Sequence, residues 1–173
     1  EEIISYAAVD RTIRHDDGPF HWYCFDGCAS HNFYWYEESN EQKLHLIRWD
    51  MDNAFENIIN NSNPITPIAD DWGEVSNNCF PFQYLNSFQW SAACDKLTAV
   101  WASYDSLFES KKATLINGPM SQASTDAMLE AWANQIRSAT EEASSIHDDA
   151  ISIEDWEFQL NELKNQLEFA RNN

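Results

Sequence analysis

Basic residues are scarce in this sequence. Lysine and arginine together number 10, against 29 aspartate and glutamate residues, and the formal net charge is −19. A surface this acidic repels the phosphates of nucleic acids and anionic lipids, and it favours cations or basic partners. We therefore expect no nucleic-acid partner. The alternative is that the acidity only keeps a secreted or salt-tolerant protein soluble.

Glycine and long apolar runs are also missing. The four glycines stand apart, at positions 18, 27, 73 and 118, so a glycine-rich phosphate loop is excluded. No apolar run approaches the ~20 residues of a membrane span, and no secretory signal sequence opens the chain. If the protein is exported, we expect its leader to have been removed or the sequence to be a piece of a longer one.

The sequence contains four cysteines, and their oxidation state bears on the compartment of the protein. Cys24, Cys28, Cys79 and Cys94 allow three pairings if all are oxidised. Disulfides would indicate an extracytoplasmic compartment. Free thiols and a metal site are the alternatives.

Aromatic residues are abundant instead. Eight tryptophans and ten phenylalanines exclude a disordered acidic tail. A chain of 173 residues suits one domain, residues 1–173. The patterns predict an α+β fold that is mostly helical, with one β-hairpin.

The hairpin is predicted in residues 31–55. Two runs rich in β-forming residues are joined there by a polar connection, which is typical of a hairpin with a loop longer than two residues. Asp50 and Asp52 follow the return strand. Because residues two apart on an extended strand face the same way, both carboxylates could face one ion. Asn32, at the start of the first strand, would complete a site for a hard cation such as magnesium.

Helical patterns occupy both ends of the chain. Residues 1–14 carry acids first and arginines last, an order that suits the helix dipole. After Cys94 the pattern is helical throughout, and its first part has apolar residues at spacings of three and four that predict a core-facing stripe. Ser152 is predicted to cap the last helix, with Asp155 three residues on. The core-facing stripe consists of Leu97, Val100, Trp101, Tyr104, Leu107 and Phe108. A second helix is marked by Met128, Leu129, Trp132 and Ile136, and the apolar face of the last helix is formed by Trp156, Leu160, Leu163 and Leu167.

Several short motifs together resemble the CotH (spore-coat protein H) kinase family. The matching pieces are Asp17-Gly18, His31-Asn32-Phe33-Tyr34, Trp49-Asp50-Met51-Asp52 with Ala54-Phe55, and the final helix with Trp156, Phe158, Leu163 and Arg171. The resemblance covers nearly the whole chain but only the C-terminal, large-lobe portion of the family's domain. It implies a protein-kinase-like large lobe with the hairpin at its cleft.

The resemblance also implies roles for individual residues. Asp17 would be the catalytic base or orient the attacking hydroxyl. Asn32 and Asp50 would be magnesium ligands, and Asp52 a second ligand or a support. Mg²⁺ and ATP are therefore the cofactors that the resemblance implies. Trp49, next to Asp50, is a candidate platform for the nucleotide. The interval from Asp17 to Asn32 is longer than in ordinary kinases, and only the resemblance justifies pairing them.

Each role has a structural alternative. Asp17 could be an ordinary turn residue, and Asp16 could be the functional one. Asn32 could satisfy backbone groups, Trp49 could belong to the core, and Asp50 and Asp52 could cap a short helix. The polar stretch 57–79 could be a substrate-facing loop or a surface excursion.

No glycine-rich loop or Lys–Glu pair precedes Asp17, so the small lobe is expected in an upstream segment or a separate chain. Two functions follow. The first is a secreted atypical Ser/Thr kinase whose protein substrate is basic and Ser-rich; the second is a non-catalytic structural or adhesive extracellular module. A carbohydrate- or calcium-binding domain is a weaker third reading, because no calcium-loop pattern is present.

Overall fold

The computed structural model describes residues 1–15, 18–20, 22–24, 26–51, 54–55, 79–84 and 87–172. The chain divides into two compact units, Glu1–Ala113 and Thr114–Asn173. The prediction that the chain forms a single domain stays a prediction.

The first unit opens with the predicted helix, α1 (Glu2–Thr12). Glu2 lies in its first turn and Arg11 in its last, where each charge complements the helix dipole. The helix ends where Arg14 takes a left-handed conformation, with φ of 56°. A buried cluster forms on this helix, and Leu46, Trp101 and Leu107 are among the residues that pack against it. The cluster members are Ile4, Ala7, Ala8, Phe20 and Phe108.

The predicted hairpin is confirmed. Strands β3 (Phe33–Glu38) and β4 (Lys43–Arg48) pair antiparallel from Phe33 opposite Arg48 to Glu38 opposite Lys43. Residues 39–42 connect them, with Gln42 left-handed at φ of 51°. The connection is therefore longer than two residues, as the sequence predicts.

A second sheet was not predicted. Its four strands are β1 (Trp22–Cys24), β2 (Cys28–Ala29), β5 (Phe82–Tyr84) and β6 (Ser87–Trp90), in the order β2-β1-β6-β5. All neighbouring strands are antiparallel. Pairing of β1 with β6 joins segments far apart in the sequence, which no local pattern signals.

Both disulfides lie in this unit. Cys24 and Cys28 are directly opposite each other on β1 and β2 and form one bridge. The second bridge joins Cys79 to Cys94, the last residue of a 3-10 helix (Ala92–Cys94). The structure thus selects one of the three possible pairings.

The stripe predicted after Cys94 is only partly correct. The region is two helices, α2 (Lys96–Ala102) and α3 (Asp105–Asn117), and Asp95 caps the first by accepting hydrogen bonds from two backbone N–H groups. Helix α2 buries Thr98 and Ala102 and leaves much of the apolar stripe exposed. Phe108 is buried and Trp101 and Leu107 pack on the core, but three members are exposed: Leu97, Val100 and Tyr104.

The second unit contains α4 (Gln122–Ile146) and α5 (Ile153–Asn172), which contact each other. The predicted cap of α5 is confirmed: Ser152 Oγ accepts a hydrogen bond from Asp155 N at 3.0 Å and donates one to Asp155 Oδ2 at 2.8 Å. The α5 stripe is half-buried to buried. The second predicted helix is confirmed as α4, on which Leu129 is buried while Met128, Trp132 and Ile136 are exposed.

The described residues therefore form an α+β, mostly helical structure with five α-helices and the expected hairpin. The likeness to a kinase large lobe stays a prediction. Over the part of the chain with described structure, every helix is too short or too polar to span a bilayer.

Candidate functional site

The open end of the β3–β4 hairpin brings Asn32 and Asp50 together. Phe33 opposite Arg48 is the last strand pair, and one step beyond it Trp49 N donates a hydrogen bond to Asn32 O at 3.2 Å. Asn32 and Asp50 therefore lie at the same end of the hairpin, on its two separate strand extensions. The hairpin register positions them, although they are far apart in sequence.

Both residues have left-handed backbones. The φ angles are 58° at Asn32 and 55° at Asp50. Asparagine and aspartate tolerate this conformation better than most residues, because their short polar side chains can hydrogen-bond locally. Asp50 is exposed and Asn32 is half-buried, so both side chains reach solvent.

This geometry contradicts the expectation that Asp50 lies on an extended strand. Strand β4 ends at Arg48, and Asp50 is left-handed and not extended. The alternation of an extended strand thus does not place Asp50 and Asp52 on one face. Asp52, Asp16 and Asp17 lie outside the described residues, as does almost all of the stretch 57–79, so their roles stay predictions.

A buried polar pair contacts the main chain of Asp50, and it was not predicted from the sequence. His15 Nδ1 is 3.0 Å from Asp10 Oδ1, and both side chains are 0% exposed. The other ring nitrogen, His15 Nε2, is 3.2 Å from the main-chain oxygen of Asp50. The pair therefore connects the end of α1 to the candidate site. The only sequence signal was a histidine directly before Asp16, with an aspartate five residues earlier.

Gly18 and Tyr6 both lie against this pair. A Cβ atom on Gly18 would lie 2.6 Å from His15 Nδ1 and 2.7 Å from Asp10 Oδ1, so a larger residue does not fit there. Tyr6 donates its hydroxyl to Asp10 Oδ1 at 3.1 Å. Burial, followed by the negative charge of Asp10 and the hydrogen bond to it, raises the pKa of Tyr6 far above its ordinary value.

Trp49 lies beside the two candidate ligands and is 49% exposed, so the alternative that it belongs to the core is wrong. Its ring stacks on that of Tyr34, with centroids 6.2 Å apart and planes inclined by 23°. Tyr34 is itself 62% exposed. The two rings form an aromatic surface next to Asn32 and Asp50.

The comparisons with known proteins agree with the motifs. A family model described as CotH kinase protein matches residues 1–172. The chain belongs to this family. No curated protein and no solved structure matches the chain. Membership of this family implies a kinase-like domain at most.

The donors at the hairpin end suit the metal that a CotH kinase-like domain would use. Asn32 and Asp50 supply a carboxamide and a carboxylate oxygen, which are hard donors of the kind magnesium prefers. Among the described residues, no group of three or more His, Cys, Asp or Glu side chains could hold a metal. Two protein oxygens are sufficient for a magnesium ion that shares its shell with water and phosphates. The residues present therefore fit magnesium bound together with a nucleotide.

Proposed function

We propose that this chain is the large-lobe portion of a secreted, atypical Ser/Thr protein kinase that uses ATP and Mg²⁺. The observation that carries the proposal is the pairing of Asn32 and Asp50 at one end of the hairpin, through the hydrogen bond from Trp49 N to Asn32 O at 3.2 Å. Membership of the CotH family over residues 1–172 supports it.

The proposed reaction is an in-line transfer of the γ-phosphoryl group. Asp17 accepts the proton of a Ser or Thr hydroxyl, the hydroxyl oxygen bonds to the γ-phosphorus, and the bond to the β,γ-bridging oxygen breaks to release ADP. The role of Asp17 comes from the family resemblance. Kinases need little covalent chemistry from the protein, so orientation of the reactants is the main task of these residues.

Asn32 and Asp50 would hold the metal, with Asp52 as a further ligand or support. When bound, Mg²⁺ offsets negative charge on the phosphate oxygens. Trp49 offers an exposed ring for stacking against the adenine base. The excess of acidic residues in the chain favours a basic protein substrate, which we expect to be Ser-rich.

Two disulfides support secretion, because such bonds persist in oxidising compartments. We therefore place the protein at the cell surface or outside the cell. An upstream segment or a separate chain would supply the small-lobe functions.

A non-catalytic binding module is the second candidate. One observation favours it: the outer face of the hairpin exposes Tyr34, Tyr36, Ile47 and Trp49, all between 48% and 62%. Contiguous apolar surface of this kind is typical of interaction sites. Under this alternative the fold is kept and no phosphate is transferred.

The test is phosphate incorporation from labelled ATP by the full-length protein with Mg²⁺ and a basic, Ser-rich acceptor. Asp50→Asn removes the charge and keeps a residue that tolerates a left-handed backbone. We expect incorporation to fall by about 10²-fold or more, because charge at the reacting phosphate is lost. The matched control is Asp149→Asn, an exposed residue of the other unit, which should behave as wild type. Equal incorporation by wild type and Asp50→Asn, or none by either, would contradict the proposal.

A further inference from the structure

We propose that the buried Asp10–His15 pair fixes the main chain at Asp50 and so sets the direction of the Asp50 carboxylate. His15 would be a positioning residue, since it acts through the backbone of Asp50 and touches neither nucleotide nor substrate. The consequence for metal binding rests on the proposed function. The inference that His15 positions the Asp50 backbone is independent of the proposed function.

The contacts run in one line from α1 to the candidate site. Asp10 Oδ1 is 3.0 Å from His15 Nδ1, and His15 Nε2 is 3.2 Å from Asp50 O. Asp10 and His15 are fully buried, so water does not compete for these bonds. The bond from His15 to Asp50 O is part-buried and joins residues 35 positions apart. Because the His15 ring is itself fully buried and bonded to Asp10, it offers the Asp50 carbonyl a fixed partner.

The backbone at Asp50 needs such a constraint. Its φ of 55° is a conformation that costs free energy for any residue with a Cβ atom. Conformations of this kind persist only where the surroundings determine them from several sides. Two contacts do so: His15 bonds Asp50 O, and Ile13 O accepts a hydrogen bond from Phe55 N at 2.8 Å. The end of α1 thus holds the segment from Asp50 to Phe55 at both ends.

The pair is itself held rigidly. Tyr6 donates to the same Asp10 oxygen that faces His15, at 3.1 Å. Gly18 leaves no room for the ring or the carboxylate to move toward it, since even a Cβ would lie 2.6 Å from His15 Nδ1. Within the described part of the chain, the second oxygen, Asp10 Oδ2, is buried without a hydrogen-bond partner. A fold seldom retains a buried unpaired oxygen, and positioning of His15 gives a reason for it here.

Two substitutions of His15 by amide residues distinguish its contact with Asp50 from its contact with Asp10. In His15→Gln the side-chain nitrogen can occupy the place of Nε2 and still donate to Asp50 O. In His15→Asn the nitrogen can occupy the place of Nδ1 and reaches only Asp10. If His15 positions Asp50, the two variants must differ, although both remove the ring. A role in packing alone would affect both alike.

The first readout is amide hydrogen exchange over residues 49–55, compared with helix α4. Trp49, Ala54 and Phe55 donate main-chain hydrogen bonds there and report on local order. We expect His15→Asn to raise exchange about tenfold in this segment and leave α4 unchanged, and His15→Gln to stay within about threefold of wild type. Equal exchange in the two variants would overturn the proposal. If His15→Asn does not fold, Tyr6→Phe decides: a local rise supports the proposal, and exchange identical to wild type refutes it.

The second readout is the affinity for Mn²⁺, measured by electron paramagnetic resonance with the metal alone. We expect His15→Asn to weaken binding about tenfold or more, as losses in the supporting shell of metal ligands do, and His15→Gln to restore most of it. If the wild-type protein binds no Mn²⁺, the proposed function fails. The exchange measurement then still decides whether His15 positions Asp50.

Discussion

Two polar pairs, one from each compact unit, differ sharply in burial. In the first, Asp10 and His15 meet with both side chains 0% exposed. In the second, Arg137 bonds Glu157 at 2.8 Å between α4 and α5, with 39% and 49% of the side chains exposed. An exposed ion pair is worth at most about 1 kcal/mol because water and salt screen it. Removal of one partner from a buried pair costs several times more. The first unit is therefore the one that a small change should disrupt.

The largest effect is expected for Gly18→Ala. The added Cβ would lie 2.7 Å from Asp10 Oδ1 and close to the His15 ring, so the buried pair must separate. We expect a loss of about 3–5 kcal/mol in the free energy of unfolding, the usual cost of breaking a buried pair. Gly27→Ala is the matched control, because a Cβ there meets nothing within 4 Å. Similar denaturant midpoints for the two variants would show that the pair is not tightly enclosed.

Loss of the disulfide between Cys79 and Cys94 should have the next largest effect on stability. It closes a loop with a sequence separation of 15, and loop-closure entropy predicts a contribution of about 3 kcal/mol. The double variant Cys79→Ser, Cys94→Ser should therefore lower the stability of the first unit by that amount in chemical denaturation. All four cysteines lie in this unit, so exchange protection in α4 and α5 should persist. Simultaneous loss of protection in α4 would contradict the comparison.

Tyr6→Phe tests the same buried pair more gently. It removes the hydroxyl bonded to Asp10, and a hydrogen bond to a charged group is worth about 1.5–3 kcal/mol. Because the pKa of Tyr6 is raised in the folded state, the unfolded chain loses this proton first as the pH rises. Wild-type stability should thus fall above about pH 10, and the difference from Tyr6→Phe should narrow there. Tyr104→Phe, at an exposed position, should change neither quantity.

The smallest effect is expected in the second unit. Ser152→Ala removes the side chain that caps α5 through Asp155 N, and loss of such a cap costs about 1 kcal/mol. The thermal midpoint should fall by a few degrees without a change in the first unit's exchange. A loss as large as that of Gly18→Ala would overturn the contrast between the units.

Local sequence patterns predicted the elements that depend on neighbouring residues. The charge order of α1, the Ser152 cap and the β3–β4 hairpin are all signalled within a few residues. The four-stranded sheet was missed because Trp22 and Trp90 pair across a long interval. The exposure of Val100 and Tyr104 was missed for two reasons: α2 buries Thr98 and Ala102 instead, and a break after Ala102 divides the stripe between two helices.

The candidate site likewise contains residues that could be predicted from the sequence and residues that could not. Asn32 and Asp50 were identified by residue type and motif, and the hairpin register brings them together. The part played by Asp10 and His15 could not be predicted, since it depends on a contact between His15 and a main-chain oxygen 35 residues away. A histidine beside a turn is too common to indicate a buried pair.

The most direct test of the account is whether Asn32 and Asp50 hold the same ion. Mn²⁺ affinity should be measured by electron paramagnetic resonance for wild type, Asp50→Asn, Asn32→Gly and the double variant, since glycine keeps the left-handed backbone at position 32. We predict that each single change weakens binding about tenfold or more, and that the double variant is weaker by less than the product of the two effects, because the residues share one ligand. Wild-type affinity in either single variant would contradict the account.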